Sequence, residues 1–219
     1  MFQLAASAAA AGIILDDSQV SRFRVYFNLL ESASALHNLT SVSGWEDIGE
    51  QLFLRSLRLG IVLGHAKTGG QLVDVGTGAG IPGIPLKIAY PEMKIILIDS
   101  TLKKIEFANK AIDELELTDS VAIHSRAEEF GRDLRYREFS DVVVARSVGS
   151  LSELAELMLP LTVVGGKAIA IKTSPVDSEE IESRFSAHLM GSATAKVIEI
   201  KSPGSAPEDS LVVWDKIRP

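Results

Sequence analysis

Three glycines at alternate positions follow a short apolar segment that contains one acidic residue. The segment runs from Leu72 to Gly76 with Asp74 inside it, and Gly78 and Gly80 follow. Glycine suits such a turn because it adopts positive φ and has no side chain to block a ligand. The spacing therefore indicates a strand, a loop and a helix that together bind a nucleotide-like cofactor.

The details of this loop favour one class of cofactor over another. The dinucleotide pattern G-x-G-x-x-G fails from Gly76, because its third glycine would fall at Ile81. From Gly78 the pattern fits formally, but it begins two residues farther from the strand. The carboxylate of Asp74 would repel a pyrophosphate and suits the cationic amino-acid end of S-adenosylmethionine, directly or through water. We therefore expect S-adenosylmethionine, with a nicotinamide oxidoreductase as the alternative.

Two later positions extend the predicted cofactor site. Asp99 ends the second predicted strand, where a carboxylate can accept hydrogen bonds from both ribose hydroxyls. The loop after the third strand contains Ala127 and Glu128, whose backbone groups are available to an adenine ring. A helix cap with acidic residues in its first turn is the alternative interpretation of that loop.

The elements that must position these residues follow an α/β order. From Leu72 onward short β-rich runs alternate with helical patterns, which predicts a Rossmann-like, mostly parallel sheet with helices on both faces. The predicted strands are 72–76, 94–99, 121–125, 141–146 and 167–172, and the predicted helices between them are 84–90, 102–115, 127–134 and 152–159. A helix over 178–189 then leads to 195–200 and 211–217, which we interpret as a hairpin that gives the sheet an antiparallel C-terminal edge strand.

Residues 1–70 are predicted to form an N-terminal helical cap, and residues 71–219 the cofactor-binding domain. The Ala-rich stretch 1–15 lacks a Lys or Arg before its apolar part, so we interpret it as a helix rather than a signal peptide. Segments 18–36 and 48–63 place apolar residues at helical spacing. The cap is expected either to pack on the sheet or to help form the substrate cleft.

Composition excludes several kinds of chemistry. The chain of 219 residues has no Cys, which rules out disulfides, thiolate catalysis and Cys-ligated zinc. Its four His residues lack metal-ligand spacing, and no apolar run reaches the roughly 20 residues of a membrane span. The net charge of −7 argues against binding naked nucleic acid by phosphate neutralisation alone, although a local basic face can coexist with it. We expect a cytoplasmic monomer without metal.

Longer motifs point to one family. Residues 74–86 read DVGTGAGIPGIPL, residues 97–100 read LIDS before Lys103 and Lys104, and residues 125–130 read SRAEEF. Shorter matches are NLT at 38–40, ARS at 145–147 and AIK at 170–172. In these motifs the chain resembles the glucose-inhibited division protein B family, which methylates N7 of a guanine in small-subunit ribosomal RNA. The resemblance extends over most of the chain.

The resemblance implies a class I methyltransferase fold and a substrate face beside the cofactor, with 16S ribosomal RNA or the small ribosomal subunit as partner. The substrate-binding residues are then Lys104, Arg126, Arg146 and Lys172, and the last three are also predicted to be catalytic. The predicted cofactor-binding residues are Asp74, Gly76, Thr77, Gly78, Gly80, Asp99, Ser100, Ala127, Glu128 and Arg146. Arg146 and Lys172 lie at the carboxyl ends of predicted strands, where open α/β sheets bind ligands.

The chain departs from the family mainly on the substrate side. The family usually has a Trp-Asn pair before position 38, a His-x-x-Asp-Ser motif in the next helix, an Arg after Lys103 and a Gly after the last-strand Lys. The differing positions here are Ala33, Ser34, Leu52, Arg55, Lys104 and Thr173. Two alternatives therefore stay open: a methyltransferase with another acceptor, and a ribosome-associated factor that binds the cofactor without catalysis.

Overall fold

Strands and helices alternate from residue 71 onward in the computed structural model, which describes residues 3–37, 39–146, 149–173, 175–200 and 209–219. The strands are β1 (Gln71–Val75), β2 (Lys94–Asp99), β3 (Ser120–His124), β4 (Ser140–Arg146), β5 (Thr162–Thr173), β6 (Lys196–Ile200) and β7 (Asp209–Asp215). These described strands form one seven-stranded sheet of order β3-β2-β1-β4-β5-β7-β6, in which β1 to β5 are parallel. The predicted α/β class is confirmed.

The helices cover both faces of this sheet. They are α1 (Leu4–Ala10), α2 (Asp17–His37), α3 (Trp45–Ile48), α4 (Arg55–Leu57), α5 (Gly83–Ala89), α6 (Leu102–Glu114), α7 (Ala127–Arg132), α8 (Leu151–Met158) and α9 (Asp177–Leu189). Leu72 and Leu97 pack with α1, α2, α5 and α6 on one face, whereas Val73 and Val143 pack with α7, α8 and α9 on the other. Because both faces are buried, the central strands are nearly continuous apolar runs.

The C-terminal hairpin is present, and its strand order refines the expectation. β7 pairs antiparallel with both β5 and β6, so that Asp209 lies opposite Thr173 on one side and Ile200 on the other. The antiparallel strand is therefore one place in from the edge, and the edge strand β6 runs in the same direction as β5. The Ser-Pro-Gly-rich connection expected at 201–208 lies outside the described residues.

The N-terminal region packs on the sheet, and the segment with helical spacing over 48–63 is helical from the end of α3 to Ile61. It is not one regular α-helix, because a π-helical turn (Gly49–Leu54), α4 and a 3₁₀ turn (Arg58–Ile61) follow α3 in succession. Gly60 lies so close to the Tyr90 hydroxyl that a Cβ there would collide with it, and glycine is a weak helix former. The weak helix propensity of Gly60 favours the irregular end of this segment.

The cap contributes to the same hydrophobic core as the sheet. Phe23, Leu30 and Phe53 are fully buried in the cluster that also contains Leu72 and Leu97. The cap is therefore a packed layer as well as a neighbour of the strand ends, and the boundary at residue 70 stays a prediction. None of the described helices has the length and apolar content that crossing a membrane requires.

Candidate active site

A cleft of about 690 Å³ lies where β1, β2 and β4 end at the carboxyl edge of the sheet. Its walls come from the cap, the glycine loop, the segment after β2, the start of α7 and the end of β4. The lining residues are 39–42, Leu52, 75–79, Ile81, 98–101, Lys104, 125–128, Arg146 and Leu157. The predicted NLT and ARS motifs include Asn38 and Ser147, which lie outside the described residues.

The glycine loop leaves its backbone accessible to a ligand, because it turns at positions of positive φ that favour glycine and carry no side chain. Gly76 has φ +68° and Gly78 has φ +60°, which is the left-handed region that other residues adopt only with strain. Between them the backbone N–H of Thr77 donates to the carbonyl of Ile98 on β2 at 3.0 Å. The loop is therefore tied to the neighbouring strand, and its backbone at Gly76 and Gly78 lines the cleft.

Asp74 is completely buried beneath this loop. Its Oδ2 accepts hydrogen bonds from Thr77 Oγ1 at 2.7 Å and from the Gly83 N–H at 2.9 Å. Its Oδ1 has no hydrogen-bond partner among the described residues. Burial raises the pKa of Asp74 to about 6, against the opposing effect of the two hydrogen bonds. Asp74 and Gly80 are thus predicted site residues that support the cleft without lining it.

Asp99 connects the glycine loop with the end of β2. Its Oδ2 accepts from the Gly78 N–H at 3.0 Å, and its Oδ1 accepts from the Thr101 N–H at 2.8 Å. The residue is 6% exposed, and it lines the cleft. Each carboxylate oxygen has a second acceptor site, so Asp99 can also accept from ligand hydroxyls.

Tyr26 is a site-supporting residue that the sequence reasoning missed. Its hydroxyl donates to the carbonyl of Ala79 in the glycine loop at 2.6 Å, and its side chain is fully buried. Burial, and then the charge of Asp74, raise the pKa of Tyr26 well above its usual value. The helical spacing of α2 drew attention only to its apolar residues, although a buried tyrosine usually needs a partner for its hydroxyl. The requirement for such a partner was the one feature of the sequence that could have pointed to Tyr26.

The structure brings three of the four predicted substrate-binding cations to the cleft. Arg126 is exposed at the N-cap of α7, Lys104 is half-buried with its Nζ 3.7 Å from Asp99 Oδ2, and Arg146 is half-buried at the end of β4. Nη2 of Arg146 donates to the carbonyl of Gln51 in the π-helical turn at 3.3 Å. These three cations therefore border the same space as the glycine loop and Asp99.

Lys172 is placed differently from the expectation. It does not line the cleft that the described residues form. Its Nζ donates to the carbonyl of Gly149 at 2.8 Å and to Oε1 of Glu179 at 2.9 Å. Because the same Glu179 oxygen accepts the N–H of Leu151 at 3.0 Å, Lys172 belongs to a contact that joins α8, α9 and β5. Its predicted role in catalysis stays a prediction.

These features fit S-adenosylmethionine and define a class of enzyme. The loop offers open backbone, Asp99 offers carboxylate oxygens, and Asp74 leaves one buried oxygen without a partner. Among the described residues no group of three or more His, Asp or Glu is arranged to hold a metal ion. A Rossmann-like sheet of this order with such a site is that of a class I S-adenosylmethionine-dependent methyltransferase.

Comparison with known proteins supports this class and gives the family. An S-adenosylmethionine-dependent O-methyltransferase from Thermotoga maritima has a TM-score of 0.60 at 14% identity, over 87% of this chain and 72% of that one. TYW2 of M. jannaschii, solved in complex with AdoMet, has a TM-score of 0.57 at 16% identity, over 74% and 75%. At these identities the likeness shows the fold alone.

Sequence relatives are much closer. The profile of the GidB family, described as rRNA small subunit methyltransferase G, matches residues 19–206. The ribosomal RNA small subunit methyltransferase G of Lachnoclostridium phytofermentans is 39% identical over 207 residues, covering 94% of this chain and 85% of the relative. That of Staphylococcus aureus is 38% identical over 206 residues, with the same coverage. The chain belongs to the GidB family of S-adenosylmethionine-dependent methyltransferases.

Proposed function

We propose that the protein transfers a methyl group from S-adenosylmethionine to N7 of a guanine in 16S ribosomal RNA. The observation that carries the proposal is that one cleft combines the glycine loop and Asp99 with Arg126 and Arg146. The first pair suits a nucleoside cofactor, and the two guanidinium groups suit an RNA acceptor. The printed names of the curated relatives, ribosomal RNA small subunit methyltransferase G, support the same acceptor.

The proposed cofactor contacts divide between backbone and side chains. The backbone of Gly76, Gly78, Ala127 and Glu128 faces the cleft without side-chain obstruction, and Asp99 supplies acceptors for hydroxyl groups. Thr77, Ser100 and Arg146 also line the cleft and complete this predicted set. Asp74 acts from beneath, where its carboxylate holds Thr77 and the start of α5.

The proposed acceptor needs positioning rather than proton transfer. S-adenosylmethionine, held by the glycine loop and Asp99, would supply a methyl group that is electrophilic because it is attached to a cationic sulfur. Guanine N7 carries no proton, so the chain needs no general base for this acceptor. Its residues contribute by aligning the acceptor and by excluding water.

The cations at the cleft have different recognition properties. The planar fork of Arg146 can donate two parallel hydrogen bonds to a phosphate, or one hydrogen bond to guanine O6 while N7 stays free, and Arg126 can hold the RNA backbone. Lys104 supplies a point charge without a fork, so it suits a phosphate better than a base edge. This local basic wall accommodates RNA although the whole chain has a net charge of −7.

The proposal also covers the domain division, the oligomeric state and the cellular compartment of the protein. Residues 1–70 form the cap, which contributes 39–42 and Leu52 to the cleft wall, and residues 71–219 form the methyltransferase domain. The protein is proposed to act as a monomer. It is proposed to act in the cytoplasm.

The experiment is methyl transfer from labelled S-adenosylmethionine to small ribosomal subunits from cells that lack this protein, followed by nucleoside analysis. We expect labelled 7-methylguanosine, and little label in subunits from cells that contain the protein, because their site is already modified. Label in another nucleoside would show that the methyl acceptor is not guanine N7. An absence of transfer, with calorimetry still showing cofactor binding, would leave a cofactor-binding factor without this activity.

A further inference from the structure

An ion pair between Arg55 and Asp209 lies beside the cleft and joins the cap to the start of β7. Nε of Arg55 donates to Oδ2 of Asp209 at 2.6 Å, and Nη2 of Arg55 donates to Oδ1 of the same carboxylate. The side chains are 11% and 6% exposed, so this fork is largely shielded from water. Bidentate pairs of this kind fix geometry as well as charge.

Arg146 is connected to this pair through the backbone of the cap. Its Nη2 donates to the carbonyl of Gln51, which belongs to the π-helical turn Gly49–Leu54, and Arg55 follows that turn directly. On the sheet, Arg146 pairs in register with Ile171 of β5, and Thr173 two residues later pairs with Asp209. The fork therefore anchors the end of the turn that receives the Arg146 guanidinium.

The negative charge of Asp209 also offsets the repulsion between the guanidinium groups of Arg55 and Arg146. Burial, and then the positive charge of Arg55, lower the pKa of Arg146, whereas Asp209 and Asp74 act in the opposite direction. Burial lowers the pKa of Arg58 as well, again with Asp209 opposing it. Without the carboxylate of Asp209, these guanidinium groups would repel one another in a poorly solvated place, which costs more than it does in water.

We propose that Arg55 and Asp209 are positioning residues for Arg146: their ion pair holds the π-helical turn and offsets the local positive charge, so that the Arg146 guanidinium faces the acceptor side of the cleft. The proposal rests on the proposed function in giving Arg146 the acceptor. Neither Arg55 nor Asp209 lines the cleft, so neither is a catalytic residue. The pair acts on acceptor alignment, and it leaves the glycine loop and Asp99 unchanged.

The test compares Asp209→Asn with the wild-type chain in methyl transfer and in cofactor binding. We expect kcat to fall by about tenfold to a hundredfold, since a small misplacement of an aligning group has that effect, while the Kd of S-adenosylmethionine changes less than about twofold. Asp215→Asn is the matched control, because Asp215 pairs with Lys167 and Lys196 at the other end of the same strand. It should alter stability without altering kcat.

A double-mutant cycle separates positioning from general destabilisation. If Asp209 acts through Arg146, then Asp209→Asn lowers the residual rate of an Arg146→Ala chain by less than about twofold, although its effect on the unfolding free energy persists. A fall in kcat of equal size in both backgrounds would overturn the proposal. Arg55→Lys provides a milder variant that keeps the charge and loses the fork, and it should lower kcat in the same direction by a smaller factor.

A readout that needs no methyl transfer is the Nε–H resonance of Arg146 in full-length protein labelled with ¹⁵N-arginine, assigned with Arg146→Lys. We expect it to shift or broaden in Asp209→Asn and to stay unchanged in Asp215→Asn. An unchanged resonance in Asp209→Asn would overturn the positioning role. If the wild-type chain methylates no subunit RNA, the proposed function fails, and the resonance still decides whether the pair positions Arg146.

Discussion

The hydroxyl of Tyr26 donates a hydrogen bond of 2.6 Å to the carbonyl of Ala79, so that a helix of the cap holds the glycine loop directly. The contact is fully buried, and a Cβ on the next residue, Gly80, would lie only 3.3 Å from the same hydroxyl. The cap is therefore joined to the loop on which the cofactor site depends. Folding of the N-terminal region and cofactor affinity should respond to the same residue.

Replacement of Tyr26 by Phe removes this donor and leaves the Ala79 carbonyl without it. We expect the Kd of S-adenosylmethionine to rise about fivefold and the unfolding free energy to fall by about 1 kcal/mol, the usual net value of one hydrogen bond. Titration calorimetry and denaturant unfolding measure the two effects. Tyr136→Phe is the control, because Tyr136 stacks on Phe130 and does not line the cleft. Unchanged cofactor affinity in Tyr26→Phe would disprove the link.

Asp74 should make stability depend on pH. Burial raises its pKa from the usual 3.8 to about 6, so the folded chain binds this proton more tightly than the unfolded chain does. Its favourable contribution is therefore fully present below about pH 3.8 and is lost as pH rises to about 6, by about 3 kcal/mol in total. The Asp74→Asn variant lacks this titration. Its unfolding free energy relative to wild type should increase between pH 4 and pH 7, and a constant difference would contradict the assignment.

Gly83 has no room for a side chain at the start of α5. A Cβ there would collide with Leu97 and would lie 3.0 Å from Oδ2 of Asp74, the oxygen that Gly83 itself contacts through its N–H. We expect Gly83→Ala to cost about 1–3 kcal/mol of stability by overpacking and to weaken cofactor binding by displacing Asp74. Gly131→Ala is the matched control, since a Cβ there meets only Leu161 at 3.9 Å. Similar unfolding midpoints for the two variants would refute this.

Lys172 should matter more for packing than for rate. Its ammonium is committed to Glu179 and to the Gly149 carbonyl, and it does not line the described cleft. Because the pair is partly exposed, Lys172→Met should lower the unfolding free energy by about 1 kcal/mol or less and should reduce methyl transfer less than about threefold. A loss comparable with that of Arg146→Ala would support the catalytic role predicted from the sequence.

Features that depend on local sequence were predictable. β2 has the predicted bounds, and Gly76, Gly78, Asp99 and Arg126 all line one cleft, because the carboxyl ends of parallel strands meet at one edge. β5 begins at Thr162 rather than at residue 167, since Gly165 and Gly166 interrupt the apolar pattern without ending the strand. This difference concerns where the strand begins and not the order of the elements.

Features that depend on distant partners were not predictable from one sequence. Arg55 and Asp209 are separated by 154 residues, and Tyr26 is 53 residues from Ala79. The substitution at position 55 suggested a lost substrate contact, whereas the structure shows a cation with its own carboxylate partner. Lys172 was assigned to the substrate face by the family resemblance, and its place at a strand end agreed with that, but Glu179 on the following helix pairs with its charge.

We propose that the cleft has one wall for the cofactor and another for the acceptor. The most direct test of this division is to measure the Kd of S-adenosylmethionine and the rate of methyl transfer to unmodified small subunits for Asp99→Ala and Arg146→Ala in parallel. We predict that Asp99→Ala raises the Kd at least about tenfold. Arg146→Ala removes only one of the proposed cofactor contacts, so it should change the Kd less than about threefold while lowering the rate at least about a hundredfold. Equal losses of binding and rate in both variants would contradict the claim.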